Sequence, residues 1–307
     1  MGSDTKNKTA SFLRIAEIAF AVFFVFSATM LVRELWQAKK EADTFAELSA
    51  LKLPQEGNAA WPEINVDHSK PSTSITPTDE KKEGGQASLT EKTAAEDTAD
   101  GATEEEQQEE VQSEPIPLQR YLPLYERNQD YFAWITIPGT KIDYPVMYNH
   151  DQPQLYLNHD FDGNRSNAGV LFLDSDCDPN GKHYIVYGHN MSNGTMFGGL
   201  LAYRNKSYWE KHSTLSFDTL YEERTYVIAI AMRARVLDVD EQEGFRYYFY
   251  TSLDTEEVFE EYMRQVRKLT LYDTGIDISF GDELLVLSTC QHYTKNGRFV
   301  VIAKRIA

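Results

Sequence analysis

The sequence has few cysteines and a shortage of positive charge. Two Cys occur among 307 residues, so at most one internal disulfide can form. Lys and Arg number 30 against 48 Asp and Glu, which leaves a net charge of −18 at pH 7. Nucleic-acid binding needs clustered basic side chains that neutralise phosphates. The charge balance therefore argues against nucleic acid as a partner.

Long hydrophobic runs are also scarce, and only residues 15–32 form one, interrupted by Glu17. A helix of this length spans roughly 27 Å at ~1.5 Å per residue, close to the thickness of a bilayer core. The run is apolar all round, with Phe20, Phe23, Phe24 and Phe26 among its residues, which disfavours a buried helix of a soluble protein. A cleaved signal peptide is the other alternative, but Arg33 and Glu34 stand where small residues would be needed. The run predicts an uncleaved transmembrane helix.

Residues 33–116 contain few apolar side chains and are dominated by Glu, Ser, Thr, Ala and Gly. Such a composition cannot bury enough apolar surface to offset the entropy lost on ordering. We therefore expect a disordered, acidic, low-complexity stalk. Its first part, residues 42–53, is the one stretch that can extend the preceding helix. A flexible chain of ~75 residues has an r.m.s. reach of about 50 Å. A specific acidic interaction tail is the alternative.

From residue 117 onward, short apolar runs alternate with Pro-Gly, Asp-Gly and Asn-Gly turns. This pattern predicts one mainly β domain over residues 117–307 and favours a barrel. One helix is predicted at residues 254–269, capped by Asp254, with an apolar face of Val258, Phe259, Tyr262, Met263 and Val266. The predicted strands cover residues 133–137, 169–173, 183–187, 225–236, 284–288 and 299–303.

Cys290 follows a buried strand at the point where the sequence turns polar, so its thiol is a candidate nucleophile. A thiol needs a nearby base or positive charge to react, because little of it is thiolate at neutral pH. His189, just after the strand 183–187, and His292, two residues from the thiol, are rival bases. A small buried hydrophobe is the alternative role of a lone cysteine.

Arg298 opens the strand that follows Asn296-Gly297. A hairpin loop over residues 291–297 would set Arg298 opposite Cys290, where a guanidinium can stabilise a thiolate or an oxyanion. A tight turn at Asn296-Gly297 would instead pair Cys290 with Ala303. The sequence leaves both pairings open, and a surface arginine on a hairpin is the plain alternative.

Several segments resemble the sortase family, and class B in particular. Leu-Ser-Thr-Cys at residues 287–290 is similar to the sortase nucleophile motif, and Arg298 follows at the family's distance. Tyr-Gly-His-Asn-Met at residues 187–191 resembles the class B histidine segment. The resemblance runs in order over residues 120–305 and includes three upstream segments, at residues 137–146, 156–163 and 168–174.

The resemblance implies a closed eight-stranded β-barrel with short N-terminal helices and a helix inserted before the cysteine strand. It implies His189, Cys290 and Arg298 as the catalytic residues, which decides for His189 over His292. Substrate contacts are expected from Ser288, Thr289 and Asn190. No metal or organic cofactor is expected.

The implied activity is cysteine transpeptidation. Cys290 would cleave a C-terminal sorting motif of a surface protein after threonine, form a thioester, and pass the acyl group to an amine of a peptidoglycan precursor or a pilin. The implied location is the cell membrane of a Gram-positive bacterium, with residues 1–14 in the cytoplasm and the catalytic domain outside. A cysteine peptidase that uses water, and a non-enzymatic surface adhesin, are the alternatives.

Cys177 lies in a polar loop with Asp174, Asp176 and Asp178 at alternate positions. The spacing is that of the start of a calcium loop, but Pro179 stands where such a loop needs glycine. We expect a solvated turn without metal, and no physiological disulfide between Cys177 and Cys290.

Overall fold

An eight-stranded β-barrel with a long helix against it makes up the described part of the chain, residues 3–52, 115–291 and 294–307 of a computed structural model. The barrel is closed in the order β1-β2-β3-β4-β7-β8-β6-β5. This confirms the expected closed eight-stranded barrel. The strands are β1 (Tyr131–Thr136), β2 (Asp143–Met147), β3 (Leu171–Leu173), β4 (His183–Tyr187), β5 (Thr214–Thr219), β6 (Thr225–Arg235), β7 (Leu284–Cys290) and β8 (Gly297–Arg305).

The helices lie outside the barrel. The α-helices are α1 (Ser3–Leu51), α2 (Leu122–Arg127), α3 (Lys206–Trp209) and α4 (Glu256–Leu269). Single 3₁₀ segments cover Leu155–Leu157, Phe197–Arg204 and Tyr247–Phe249. Aromatic rings from four strands pack against one another with centroids about 6 Å apart, namely Phe132, Tyr184, Phe217 and Tyr226.

Two strands were not predicted, and each has a local reason. β2 contains Pro145, which argues against a strand interior because proline donates no ladder hydrogen bond. Pro145 lies opposite Trp134 of β1, and β2 pairs with β3 only at the two residues after it. β5 contains the buried Asp218, which a hydrophobic pattern does not anticipate. The hydroxyl of Tyr121 donates to its carboxylate at 2.6 Å, and this bond offsets its burial.

The inserted helix differs from the prediction at its start. α4 begins at Glu256, and its N-cap is Thr255 rather than Asp254. The Thr255 hydroxyl accepts a hydrogen bond from the Val258 N–H at 3.3 Å, as expected of an extended N-cap residue. Val258 remains 40% exposed, so the buried face is narrower than predicted and consists of Phe259, Tyr262, Met263 and Val266.

The beginning of the predicted stalk is helical and docked. α1 continues without a break to Leu51, so residues 33–51 do not form the disordered spacer expected from their composition, whereas the expected extension of the helix into residues 42–53 is present as far as Leu51. Leu48 is fully buried, and Phe45 packs edge-on against Tyr144 with ring centroids 5.0 Å apart. The apolar residues recur every three positions and cover one side of the helix, a pattern that composition alone conceals. Residues 53–114, the remainder of the predicted stalk, lie outside the described residues.

His183 at the start of β4 is almost fully buried, at 3% exposure. Its ring packs edge-on against Tyr262 of α4 with centroids 5.4 Å apart. The backbone of Tyr250 lies close enough to favour the charged ring slightly, yet neither ring nitrogen has a hydrogen-bond partner of good geometry. Burial therefore dominates and lowers the pKa of His183 to about 4. The ring is neutral at physiological pH.

His183 should make the fold sensitive to acid. Its folded pKa of about 4 lies below the ordinary value of 6.5, so only the unfolded chain takes up this proton between those pH values. The free energy of unfolding should then fall by about 3 kcal/mol from this residue alone as the pH drops from 6.5 to 4. Urea denaturation across that window measures the free energy of unfolding at each pH. This free energy should fall less between pH 6.5 and pH 4 for His183→Leu than for the exposed control His150→Leu. Equal pH slopes for both variants would contradict this account.

Candidate active site

The candidate residues meet where three neighbouring strands end. β4 and β7 are parallel, and Tyr187 lies opposite Ser288. His189 and Cys290 each follow this pair by two residues, so they lie side by side at the same end of the barrel. β8 runs antiparallel to β7 and sets Arg298 directly opposite Cys290. The connection between β7 and β8 thus covers residues 291–296, and Ala303 pairs with Leu285 instead.

A cavity of about 360 Å³ opens at this end of the barrel. Its volume falls within the range of small-ligand sites, which start at about 300 Å³. Cys290, His189 and Arg298 all line it. The other lining residues are Pro153, Gln154, Leu157, Phe172, Asp174, Ser175, Tyr187, Gly188, Val236, Tyr247, Tyr248, Ser288 and Thr289.

Cys290 is partly buried and unpaired. The side-chain amide of Asn190 donates to the Cys290 carbonyl at 2.9 Å. Asn190 was expected to contact substrate, but the structure turns its amide toward the strand and does not place it in the cavity wall. Asn190 therefore fixes the backbone that carries the thiol.

His189 is oriented by a backbone carbonyl. Its Nε2 lies 2.8 Å from the oxygen of Leu157. A carbonyl oxygen only accepts, so Nε2 carries the proton and Nδ1 is the basic nitrogen of the neutral ring. Gly188 is required beside it, because a Cβ there would lie 2.3 Å from Leu171 Cδ2 and 2.7 Å from Phe197 Cδ2.

Arg298 contributes a cation that no carboxylate neutralises within the part of the chain described. Its Nη1 donates to the carbonyl of Gly297 at 3.1 Å. The loop before it holds Asn296 at a φ of 55°, a left-handed conformation that asparagine tolerates better than most residues. Asp238 holds this loop through Lys295 at 2.7 Å and Asn296 at 3.1 Å.

Ser288 and Thr289 line the cavity, but their hydroxyls are engaged. Ser288 Oγ lies 2.7 Å from the hydroxyl of Tyr247, and Thr289 Oγ1 donates to the Gly188 carbonyl at 2.7 Å. Burial raises the pKa of Tyr247 to about 12, so its phenol keeps its proton at neutral pH. Both residues expected to bind substrate thus also hold the wall together.

Sequence reasoning missed the aromatic and acidic part of the wall. Tyr187 donates to Asp174 Oδ2 at 2.8 Å, and both residues line the cavity. Tyr187 had a signal, since it opens the histidine segment on an outward-facing strand position. Tyr247 and Tyr248 had none, because the connection between β6 and α4 that carries them shows no periodic pattern.

Cys177 is a poor second nucleophile. It is unpaired and only 2% exposed, and burial raises the pKa of its thiol to about 12. Among the residues that the structure describes, no group of three or more His, Cys, Asp and Glu side chains is arranged to hold a metal ion. The rival base His292 lies outside the described residues.

Comparisons with known proteins agree with this architecture. The sortase domain family matches residues 135–306. Sortase B of Listeria monocytogenes is 31% identical over 191 residues, which cover 60% of this chain and 72% of that protein.

Solved structures give the same result. The Staphylococcus aureus sortase B–substrate complex aligns with a TM-score of 0.54 at 27% identity, over 61% of this chain and 84% of that chain. Sortase B of Clostridium perfringens aligns with a TM-score of 0.53 at 30% identity, over 60% of this chain and 98% of that chain. The barrel, the strand-end cysteine and these matches together place the chain in the sortase family of cysteine transpeptidases, with class B members among its relatives.

Proposed function

We propose that Cys290, His189 and Arg298 catalyse the cleavage of a C-terminal sorting motif after threonine and the transfer of the acyl group to an amine. The observation that carries this proposal is the arrangement of a thiol, an imidazole and an unneutralised guanidinium on adjacent strand ends around one cavity. These groups are a nucleophile, a proton carrier and an oxyanion stabiliser, which are the needs of acyl transfer.

In the first half-reaction, Cys290 Sγ attacks the backbone carbonyl carbon of the threonine in the sorting motif. The thiol proton passes to His189 Nδ1, and the guanidinium of Arg298 stabilises the oxyanion. The tetrahedral intermediate collapses as the peptide C–N bond breaks. His189 gives its proton to the departing amine, and a thioester on Cys290 remains.

In the second half-reaction, an incoming primary amine attacks the thioester carbon, and His189 takes a proton from this amine. The C–S bond then breaks, and His189 returns the proton to the departing thiolate of Cys290. The product is a new amide. A substrate complex has been solved for the Staphylococcus aureus relative, and the resemblance to the sortase family suggests a sorting-signal peptide as the first substrate here. The acceptor belongs to a peptidoglycan precursor or a pilin in this proposal.

The location in this proposal is the cell membrane, with a single crossing and the barrel outside. α1 contains the one helix of the described residues that is long and apolar enough to span a bilayer. Its apolar side chains are exposed on all faces, which fits lipid better than a protein interface. Residues 1–14 would then lie in the cytoplasm.

A peptide assay separates the transpeptidase from a hydrolase and from an adhesin. Fluorogenic peptides of Asn-Pro-x-Thr and Leu-Pro-x-Thr-Gly type should be cleaved after threonine, and an added glycine-type or diamine acceptor should appear in a ligated product. Cys290→Ala should lower turnover on the order of 10³-fold or more. Cleavage without ligation would support the hydrolase, and no turnover by a folded protein would support the adhesin.

Arg298 should act on the transition state rather than on folding. Arg298→Gln should reduce kcat/KM by about 10²- to 10³-fold, the usual cost of removing an oxyanion donor. Arg264→Gln, on the exposed face of α4, is the matched control and should leave kcat/KM within about twofold of wild type. Similar losses in both variants, or none in Arg298→Gln, would remove Arg298 from the mechanism.

The two cysteines should differ sharply in reactivity. Iodoacetamide should modify the native protein once, at Cys290, because Cys177 is buried and its thiol pKa is raised to about 12. The urea-unfolded protein should be modified twice. Mass spectrometry of tryptic peptides checks both results, and rapid native labelling of Cys177 would contradict the burial described above.

A further inference from the structure

The second half of α1 makes a continuous series of contacts with one side of the barrel. Gln37 lies 3.5 Å from Asn167, and the Glu41 carboxylate accepts from Ser166 Oγ at 3.0 Å. Further along, Glu47 pairs with Arg127 at 2.7 Å, and Leu48 is fully buried. The docking therefore begins immediately after the apolar half of the helix.

Residues 18–36 of α1 are mostly apolar and uncovered. Their large hydrophobic side chains are exposed by half or more, from Ile18 at 65% to Trp36 at 67%. A protein partner would cover one side of such a helix, whereas lipid covers all of it. Trp36 at the boundary is a residue type that anchors helices at the membrane interface. The occupant that fits this surface is a bilayer.

A short, continuous stretch of helix joins the apolar part of α1 to the part that contacts the barrel. From Val32 to Glu41, the helix rises about 14 Å at ~1.5 Å per residue. The headgroup layer on each side of a bilayer accounts for about 5–7 Å of this rise. The barrel loop at residues 162–167, which contacts α1 at its end, therefore lies next to the lipid headgroups. A flexible stalk of the length expected from composition would have allowed a reach of about 50 Å.

Both ends of the segment 53–114 are attached to the barrel. Before it, Lys52 Nζ lies 3.5 Å from the Asp143 carboxylate and 4.5 Å from the centre of the Trp134 ring. After it, the Leu118 N–H donates to the Leu220 carbonyl at 2.7 Å. Leu51 and Leu118 pack against the same hydrophobic cluster. The residues that flank this segment, Lys52 and Leu118, thus both contact one side of the barrel.

We propose that α1 is a rigid strut that seats the barrel on the bilayer surface, with residues 162–167 at the headgroups, and that the acidic segment 53–114 has no part in setting this height. The proposal rests on the membrane anchor proposed above. The strut would also set the height of the active site above the bilayer. The loop that contacts α1 through Ser166 begins near Leu157, whose carbonyl orients His189. The enzyme then acts on cleavage sites held close to the membrane.

Depth-dependent quenching tests the strut on the full chain. The Cys290→Ala, Arg165→Cys protein, labelled with a fluorophore at residue 165, is reconstituted into phosphatidylcholine–phosphatidylglycerol vesicles that contain headgroup spin-labelled lipid. We expect strong quenching. Seven helix-forming residues inserted after Trp36 lift the barrel by about 10 Å with little rotation, and quenching should fall by at least about half. Replacing residues 55–112 by a short Gly-Ser linker should leave quenching unchanged.

An undocked variant and a flotation control complete the test. Glu47→Lys with Leu48→Asp breaks the docking without altering the membrane segment, and it should lose quenching as the insertion does. The strut proposal would be overturned if the insertion left the quenching unchanged, or if the quenching fell when residues 55–112 were removed. A chain that does not float with the vesicles would overturn the proposed anchor instead. Peptide ligation by the Cys290 protein in detergent reports the proposed chemistry independently of both.

Discussion

The parallel pairing of β4 with β7 is the constraint on which the site depends. Parallel strands end at the same edge of a sheet. Because Tyr187 lies opposite Ser288, His189 and Cys290 come together at one end of the barrel. A slip of one residue would turn one of the two side chains to the other face of the sheet. The absence of a side chain at Gly188 allows Leu171 and Phe197 to pack against this edge. The histidine and the cysteine owe their proximity to the sheet rather than to any bond between them.

The polar groups around that edge largely satisfy one another. Thr289 bonds to the Gly188 carbonyl, Ser288 to Tyr247, and Asn190 to the Cys290 carbonyl. A buried polar group without a partner costs about 1–3 kcal/mol, so each of these bonds also resists rearrangement of the wall. The thiol, His189 Nδ1 and much of the guanidinium remain available for substrate. A wall whose polar groups are largely bonded to one another suits the acyl transfer proposed above, because catalytic groups must be held in place before the substrate arrives.

The sequence predicted the elements whose signals are local. The strand at residues 183–187 was predicted to the residue, and the barrel followed from the resemblance. Where the determinant lies elsewhere in the chain, prediction failed. β5 is stabilised at Asp218 by Tyr121, almost a hundred residues away, and Tyr247 lines the cavity where it bonds to the distant Ser288. Two other details are local but depend on backbone geometry that residue types do not reveal. Asn296 adopts a left-handed conformation just before the strand that pairs Arg298 with Cys290, and the helix α4 is capped by Thr255 rather than Asp254.

The largest difference concerned residues 33–52, where composition suggested a spacer and the structure has a docked helix. Phe45, Leu48 and Leu51 are too few to alter the composition, yet their spacing places them on one face. Burial of these three side chains contributes roughly 3–6 kcal/mol after allowance for their partial exposure. Residues 37–51 continue a helix that begins at Ser3, so docking costs them little conformational entropy. A gain of even about 3 kcal/mol leaves fewer than about one molecule in a hundred undocked, because each 1.4 kcal/mol is a factor of ten. Three apolar residues at helical spacing are therefore enough to hold the end of α1 against the barrel.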